Sequence, residues 1–252
     1  MEERVLVDAT VLLGRQPQGS AGVDTPRELL AWLGRVGIAE AVTGHLASWL
    51  HDPAAGNRRL SGLLAGQPRL RACWVVLPGG TGEVGSPGEF VAAARTAGVA
   101  AVRAYPADHG WSLTAPDGAR VLDALAAAGL PLFVDAEQTS WDEITACATA
   151  HPALRLLVCR PGYRVLRHIA GVLEACDNVW IETSTLATHQ GLEWLAGRFG
   201  AGRLVFGTAA PLRDPAEAVT RLLLSDVDDD AVRAIGGGNL RGLLAPSGVR
   251  AA

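Results

Sequence analysis

Short apolar runs rich in Val, Ile and Leu alternate along this chain with stretches whose apolar positions follow a helical period, and the alternation returns roughly every thirty residues. The runs predict buried strands at Arg4–Asp8, Ile38–Thr43, Arg71–Leu77, Ala100–Tyr105, Pro131–Asp135, Arg155–Cys159, Val179–Thr183 and Leu204–Gly207. Between them, amphipathic stretches predict helices at Pro26–Val36, Asn57–Gly66, Glu89–Ala97, Gly118–Ala128, Trp141–Ala150, Leu166–Ala175, Gln190–Phe199 and Ala216–Leu224. Thr25-Pro26, Ser140 and Asp214-Pro215 are start signals, and Gly37, Gly98, Gly129 and Gly200 stand where a left-handed cap is wanted. Repeated strand–helix units build a parallel sheet with helices outside, and eight of them close most naturally into a single α/β (β/α)8 TIM-like barrel; an open doubly wound sheet is the alternative. The domain is expected to span residues 1–252, with a C-terminal helix and tail over about the last 25 residues. Function in such barrels is built beyond the carboxyl ends of the strands, where long loops are expected at Val11–Asp24, Gly44–Gly56, Pro78–Gly88 and Pro106–Pro116.

Composition narrows the function classes. At 49% hydrophobic and 19% charged residues, 252 residues bury a sizeable core, which excludes global disorder. The net charge is −4, Lys is absent and Arg is scattered, so no nucleic-acid partner is expected. Cys73, Cys147, Cys159 and Cys176 have no Cys-x-x-Cys spacing and read as buried free thiols of a reducing compartment. Met1–Arg4 opens directly onto a strand pattern and no apolar stretch reaches membrane length, so a cytoplasmic protein with no membrane partner is expected. Gly79–Gly82 lacks the Lys and immediate helix of a phosphate loop, and no Gly-x-Ser-x-Gly elbow is present.

Near the C-terminus, Leu204-Val-Phe-Gly207-Thr208-Ala209-Ala-Pro211 resembles the last strand of the amidohydrolase-related, metal-dependent hydrolase barrels, where an Asp ligand stands at the position of Ala209. Gly238-Asn239 resembles the ending with which those barrels pack a last helix under the final strand. On the first strand, Val7-Asp8-Ala9-Thr10-Val11-Leu12-Leu13-Gly14 matches the family's His-x-His string with Thr10 and Leu12 at the His positions. Leu130-Pro131 leads to Asp135 where the fifth strand carries His, and Leu156-Leu-Val-Cys-Arg160-Pro-Gly162 puts Arg160 where the sixth does. Thr, Leu, Asp, Arg and Ala are not a ligand set for zinc, and the resemblance with these departures implies no metal and no cofactor.

Arg160 and Asp135, on neighbouring strands, are expected to form an ion pair in the place of cation and ligands, and removing Arg160 alone is expected to strand a buried carboxylate. Val102-Arg103-Ala-Tyr105-Pro106 with Asp108-His109-Gly110-Trp111 resembles a substrate-covering loop of some members. His109 and Asp135 are therefore the candidate proton carriers, and Asp8, Thr10, Arg103, Tyr105, Trp111, Arg160 and Thr208 the candidate substrate-binding residues. Tyr163, Glu182, Thr183, Thr208 and Arg213 complete the polar residues near strand ends and read as the lining of a small polar pocket.

Two functions follow from this reading. One is a non-hydrolytic pseudoenzyme, the binding partner of an active amidohydrolase relative or of itself. The other is a metal-independent hydrolase, decarboxylase or isomerase acting on a small carboxylate held by Arg160 and Arg103. A mouth plugged by Leu12 and Trp111 would favour the first, a concave site the second.

Overall fold

The computed structural model describes residues 5–15 and 22–245; Met1–Arg4 and the middle of the first expected loop lie outside them. Eight strands run parallel in sequence order: β1 (Leu6–Arg15), β2 (Ile38–His45), β3 (Leu70–Val75), β4 (Ala101–Ala104), β5 (Leu132–Asp135), β6 (Leu156–Cys159), β7 (Val179–Glu182) and β8 (Leu204–Val205). A two-residue strand, Gly22–Val23, pairs antiparallel with the end of β1. The ring closes where β1 meets the segment after β8: Ala9 N–H donates to Phe206 O at 3.0 Å and Leu12 N–H to Ala210 O at 2.8 Å. This is the expected barrel, not the open sheet.

Its interior is packed with Val7, Ala9, Val42, Cys73, Ala101, Phe133, Leu157, Cys159 and Val205, joined by Leu240 and Leu243 of the helix Asn239–Leu244. That helix comes off a π turn, Ala234–Gly238. A Cβ at Gly237 would stand 2.9 Å from Val7 Cγ2 and 3.0 Å from Val5 O, a backbone atom that cannot turn aside, so glycine lets the chain cross the start of β1 this closely. Asn239 Nδ2 then donates to Ala201 O and Leu204 O, both at 2.7 Å, tying the last helix under β8. A larger apolar shell packs the outer helices onto the sheet.

The start signals act as read. Thr25 accepts from Glu28 N, Ser140 from Glu143 N and Asp214 from Ala216 N, while Gly37, Gly98, Gly129 and Gly200 all have φ between 63° and 79°. Two expectations are corrected. The strand expected to stop at Asp8 continues to Arg15 after a register shift between Asp8 and Val11, so Val11–Leu13 are paired with Thr43–His45 and not looped out. The stretch 44–56 is mostly helical: His45 Nδ1 accepts from Ala47 N to start Leu46–Leu50, and Asp52 accepts from Ala55 N to start Pro53–Leu64. Gly79–Thr81 is one 3-10 turn. All four cysteines are free and buried, and among the described residues no helix is long and apolar enough to cross a membrane.

Candidate functional site at the barrel mouth

Because β4, β5 and β6 are neighbours, they bring Arg103, Asp135 and Arg160 together at their carboxyl ends. Arg103 Nη2 donates to Asp135 Oδ1, and Arg160 Nη2 to Asp135 Oδ2 at 2.6 Å. The expected Arg160–Asp135 pair is present, but Asp135 is held from both sides. Two guanidiniums on one carboxylate leave one net positive charge, and Arg103 is only 6% exposed. Burial opposes the charge on Arg103, yet Asp135 outweighs it and holds the guanidinium above its ordinary range. The Nε atoms of both arginines are buried with no hydrogen-bond partner among the described residues.

Arg160 reaches inward because its backbone is left-handed, φ 45°, a conformation strained for a side chain of this size. Neighbouring groups hold it there. Its N–H donates to Glu182 Oε2 at 2.9 Å, and Gly162 N–H donates to Thr185 Oγ1 at 2.8 Å.

Aromatic rings cover the cluster. Arg103 Cζ lies 5.4 Å from the Tyr105 ring centroid and Arg160 Cζ 5.4 Å from that of Trp49. Trp49 stacks on Tyr105 with centroids 4.6 Å apart and planes 4° from parallel. Its Nε1–H donates to Asp108 Oδ2 at 2.6 Å, and Gln138 fixes Asp108 by accepting from its N–H at 3.0 Å and donating to Oδ2 at 2.8 Å. Burial raises the Tyr105 hydroxyl pKa.

A second buried cluster joins β1, β7 and the segment after β8. Asp8 Oδ1 accepts from Thr10 N at 2.9 Å and Thr208 N at 3.0 Å, and Thr208 Oγ1 donates to Oδ2. Thr10 Oγ1 accepts from Ala209 N at 3.2 Å. Glu182 accepts from Arg160 N and from the N–H and hydroxyl of Ser184. Gly207 sits between the two groups: a Cβ there would be 2.7 Å from Thr10 Oγ1 and would overlap Glu182 Oε1. Burial raises Asp8 to about 6, against the pull of its Thr208 and Thr10 bonds. Burial likewise raises Glu182 to about 7, against its bonds to Arg160 N and Ser184, with the charge of Asp8 adding to the rise.

The expected site residues thus divide into three groups. Arg103, Asp135, Arg160 and Tyr105 form one cluster, and Asp8, Thr10 and Thr208 belong to the other. His109 and Trp111 join neither: they line a cavity of about 270 Å³ on the rim with His51, Leu77, Thr81 and Glu83. His109 Nε2 lies 2.7 Å from Trp49 O, and its ring meets Tyr105 edge-on at 5.8 Å, so the loop histidine is committed to a carbonyl on the outer side of the stack. Leu12 is buried and leans over Gly44, whose Cβ would stand 2.9 Å from its Cδ2, but the second covering ring is Trp49 and not Trp111. Trp49 was not among the expected site residues because its segment was expected to be a loop; the signal available was the Asp52-Pro53 cap, which makes the preceding residues a short, separate helix. Glu182 read as an ordinary lining residue because nothing in sequence shows that it is fully enclosed beside Asp8.

The barrels that the chain resembles hold a metal above these strand ends. Of Thr10, Leu12, Asp135, Arg160 and Ala209 only Asp135 is a strong ligand, and both its oxygens are taken by guanidiniums.

Residues 17–244 match the amidohydrolase family. No curated protein is similar in sequence. Solved structures share the barrel at low identity. The 5-carboxyvanillate decarboxylase of Novosphingobium aromaticivorans, complexed with manganese and 4-hydroxy-3-methoxy-5-nitrobenzoic acid, superposes with a TM-score of 0.77 at 13% identity over 95% of this chain and 96% of that one. The 2,6-dihydroxybenzoate decarboxylase from Rhizobium gives 0.76 at 14% over 95% and 98%. A proposed 2-pyrone-4,6-dicarboxylic acid hydrolase from Pseudomonas putida gives 0.73 at 19% over 95% and 97%. At these identities the likeness is one of fold.

Proposed function

Since the chain belongs to the amidohydrolase family, we propose that it acts on a small carboxylate at its barrel mouth without a metal ion, as a hydrolase or decarboxylase. The observation that carries this reading is the pair of guanidiniums on Asp135, with one surplus positive charge and two buried Nε–H groups that lack an acceptor. An incoming carboxylate supplies both the charge and the acceptors. The fold relatives support the class, being described as enzymes of aromatic or pyrone carboxylates.

A carboxylate gripped by arginine is stabilised in the ground state, so it serves as the anchor and not as the group lost as CO2. Glu182 is fully enclosed and serves to position Arg160 by accepting from its N–H; the proton carrier of this reading is His109, whose Nδ1 keeps a free lone pair when Nε2–H donates to Trp49 O. In hydrolysis it takes the proton of the attacking water; in loss of CO2 from a second carboxyl group of the substrate it delivers the proton to the carbon left behind.

A thermal-shift series with small mono- and dicarboxylates tests the reading. Dose-dependent stabilisation of the parent, lost in Arg160→Leu, is expected. No response to any carboxylate, or about one equivalent of transition metal surviving dialysis, overturns it. A second reading, a non-catalytic barrel that binds an active relative or another copy of itself, is favoured by Trp49 over the mouth and by Trp194, 44% exposed on the helix Gly191–Phe199. It predicts silence in the same series and self-association or complex formation in sedimentation.

A further inference from the structure

The aromatic ring beside the two guanidiniums belongs to the protein itself. The indole of Trp49 lies flat on Tyr105, with the Arg160 guanidinium carbon 5.4 Å from its ring centroid. Those are the surroundings of a bound planar ring whose acid group would meet the surplus charge of the arginines. The indole supplies the ring and no negative charge, and the Nε–H groups of Arg103 and Arg160 stay without an acceptor.

We propose that Trp49 is an intramolecular occupant of the ligand site, a plug that must swing aside before a carboxylate reaches Arg103 and Arg160. The proposal rests on the reading that this cluster binds a carboxylate.

The attachment of Trp49 suits such a movement. It is half-buried, on a five-residue helix outside the barrel wall. The backbone of that helix is fixed: a Cβ at Gly56 would lie 2.6 Å from Ser48 Cα, and His109 Nε2 meets Trp49 O at 2.7 Å. Among the described residues the side chain is held by the stack on Tyr105, the Arg160 guanidinium over its ring and the hydrogen bond to Asp108 at 2.6 Å, none of which locks its torsions. Asp108 is an exposed residue fixed by Gln138, so it stays behind as a latch when the indole turns about its own torsions. A ligand that needs the open state binds with an affinity reduced by the open fraction, and deleting the indole lifts that penalty.

The experiment compares the full-length parent, Trp49→Ala and Asp108→Ala, titrated calorimetrically with benzoate and with indole. Trp49→Ala is expected to bind benzoate about tenfold tighter than the parent or more, and Asp108→Ala to show a smaller gain. Uncharged indole is expected to enter Trp49→Ala and not the parent. Equal benzoate affinity in all three proteins overturns the plug while leaving carboxylate binding standing. Weaker binding in Trp49→Ala also overturns it, since the indole would then be a platform on which the ligand stacks. If none binds benzoate but Trp49→Ala takes up indole, the indole is a plug and the carboxylate reading fails. Should Trp49→Ala not fold, the comparison of Asp108→Ala with the parent decides, and equal affinity there overturns the proposal.

Discussion

With Asp135 gripped from both sides, the three members of the cluster respond differently to substitution. Arg160→Leu leaves Asp135 its bond to Arg103, so the expectation that it strands a lone carboxylate is corrected. Asp135→Leu leaves two buried guanidiniums facing each other and is expected to cost roughly 3–5 kcal/mol, well above Arg160→Leu. Urea unfolding of the two variants checks the order; equal losses would mean that the cluster is solvated. Asp8 and Glu182 give a second prediction, on pH. Their folded pKa values, about 6 and about 7, lie above the unfolded 3.8 and 4.5. The folded state therefore holds protons that the unfolded chain has released. The stability they contribute is complete below the unfolded values and is lost as pH rises through about 6 to 7, by roughly 3 kcal/mol apiece as an order of magnitude. Unfolding free energy is expected to fall between about pH 4 and pH 7, and to fall less in Glu182→Gln. An unchanged slope in that variant would remove Glu182 from the account.

Among the elements, the short helix Leu46–Leu50 is the one whose placement decides what the mouth can do. It is fixed by Gly56, where a Cβ would overlap Ser48 N. A backbone atom cannot turn aside as a side chain can, so Gly56→Ala must push the helix and with it Trp49. A loss of roughly 1–3 kcal/mol is expected in thermal or urea unfolding. If the variant is as stable as the parent, the helix is loosely seated. This helix also marks where the sequence stopped being legible. The eight strands and their caps follow from periodicity and local chemistry, whereas Gly44 and Gly56 made the segment between them look irregular. The contact between Gly56 and Ser48 is tertiary, and no local pattern carries it.

For the molecule as a whole, the barrel was legible because eight units of similar length have one compact way to close, and the pairing of Arg160 with Asp135 because adjacent units become adjacent strands. The bond from Arg103 to Asp135 and the enclosure of Glu182 were not, since both depend on strand register and on which residues lie above the ring. The packing of the ring has a consequence for sulfur chemistry. Cys73 and Cys159 lie inside the barrel, while Cys147 and Cys176 lie in the shell between sheet and helices. Burial lifts the Cys73 and Cys147 thiols to about 12 and raises that of Cys159 further. In the closed protein all four are shielded by burial, and Cys73, Cys147 and Cys159 are held as thiols, poor nucleophiles toward an alkylating reagent. Thiolate reactivity is thereby tied to breathing of the fold: modification of Cys147 or Cys176 registers a helix lifting off the sheet, and modification of Cys73 or Cys159 registers the ring itself coming open.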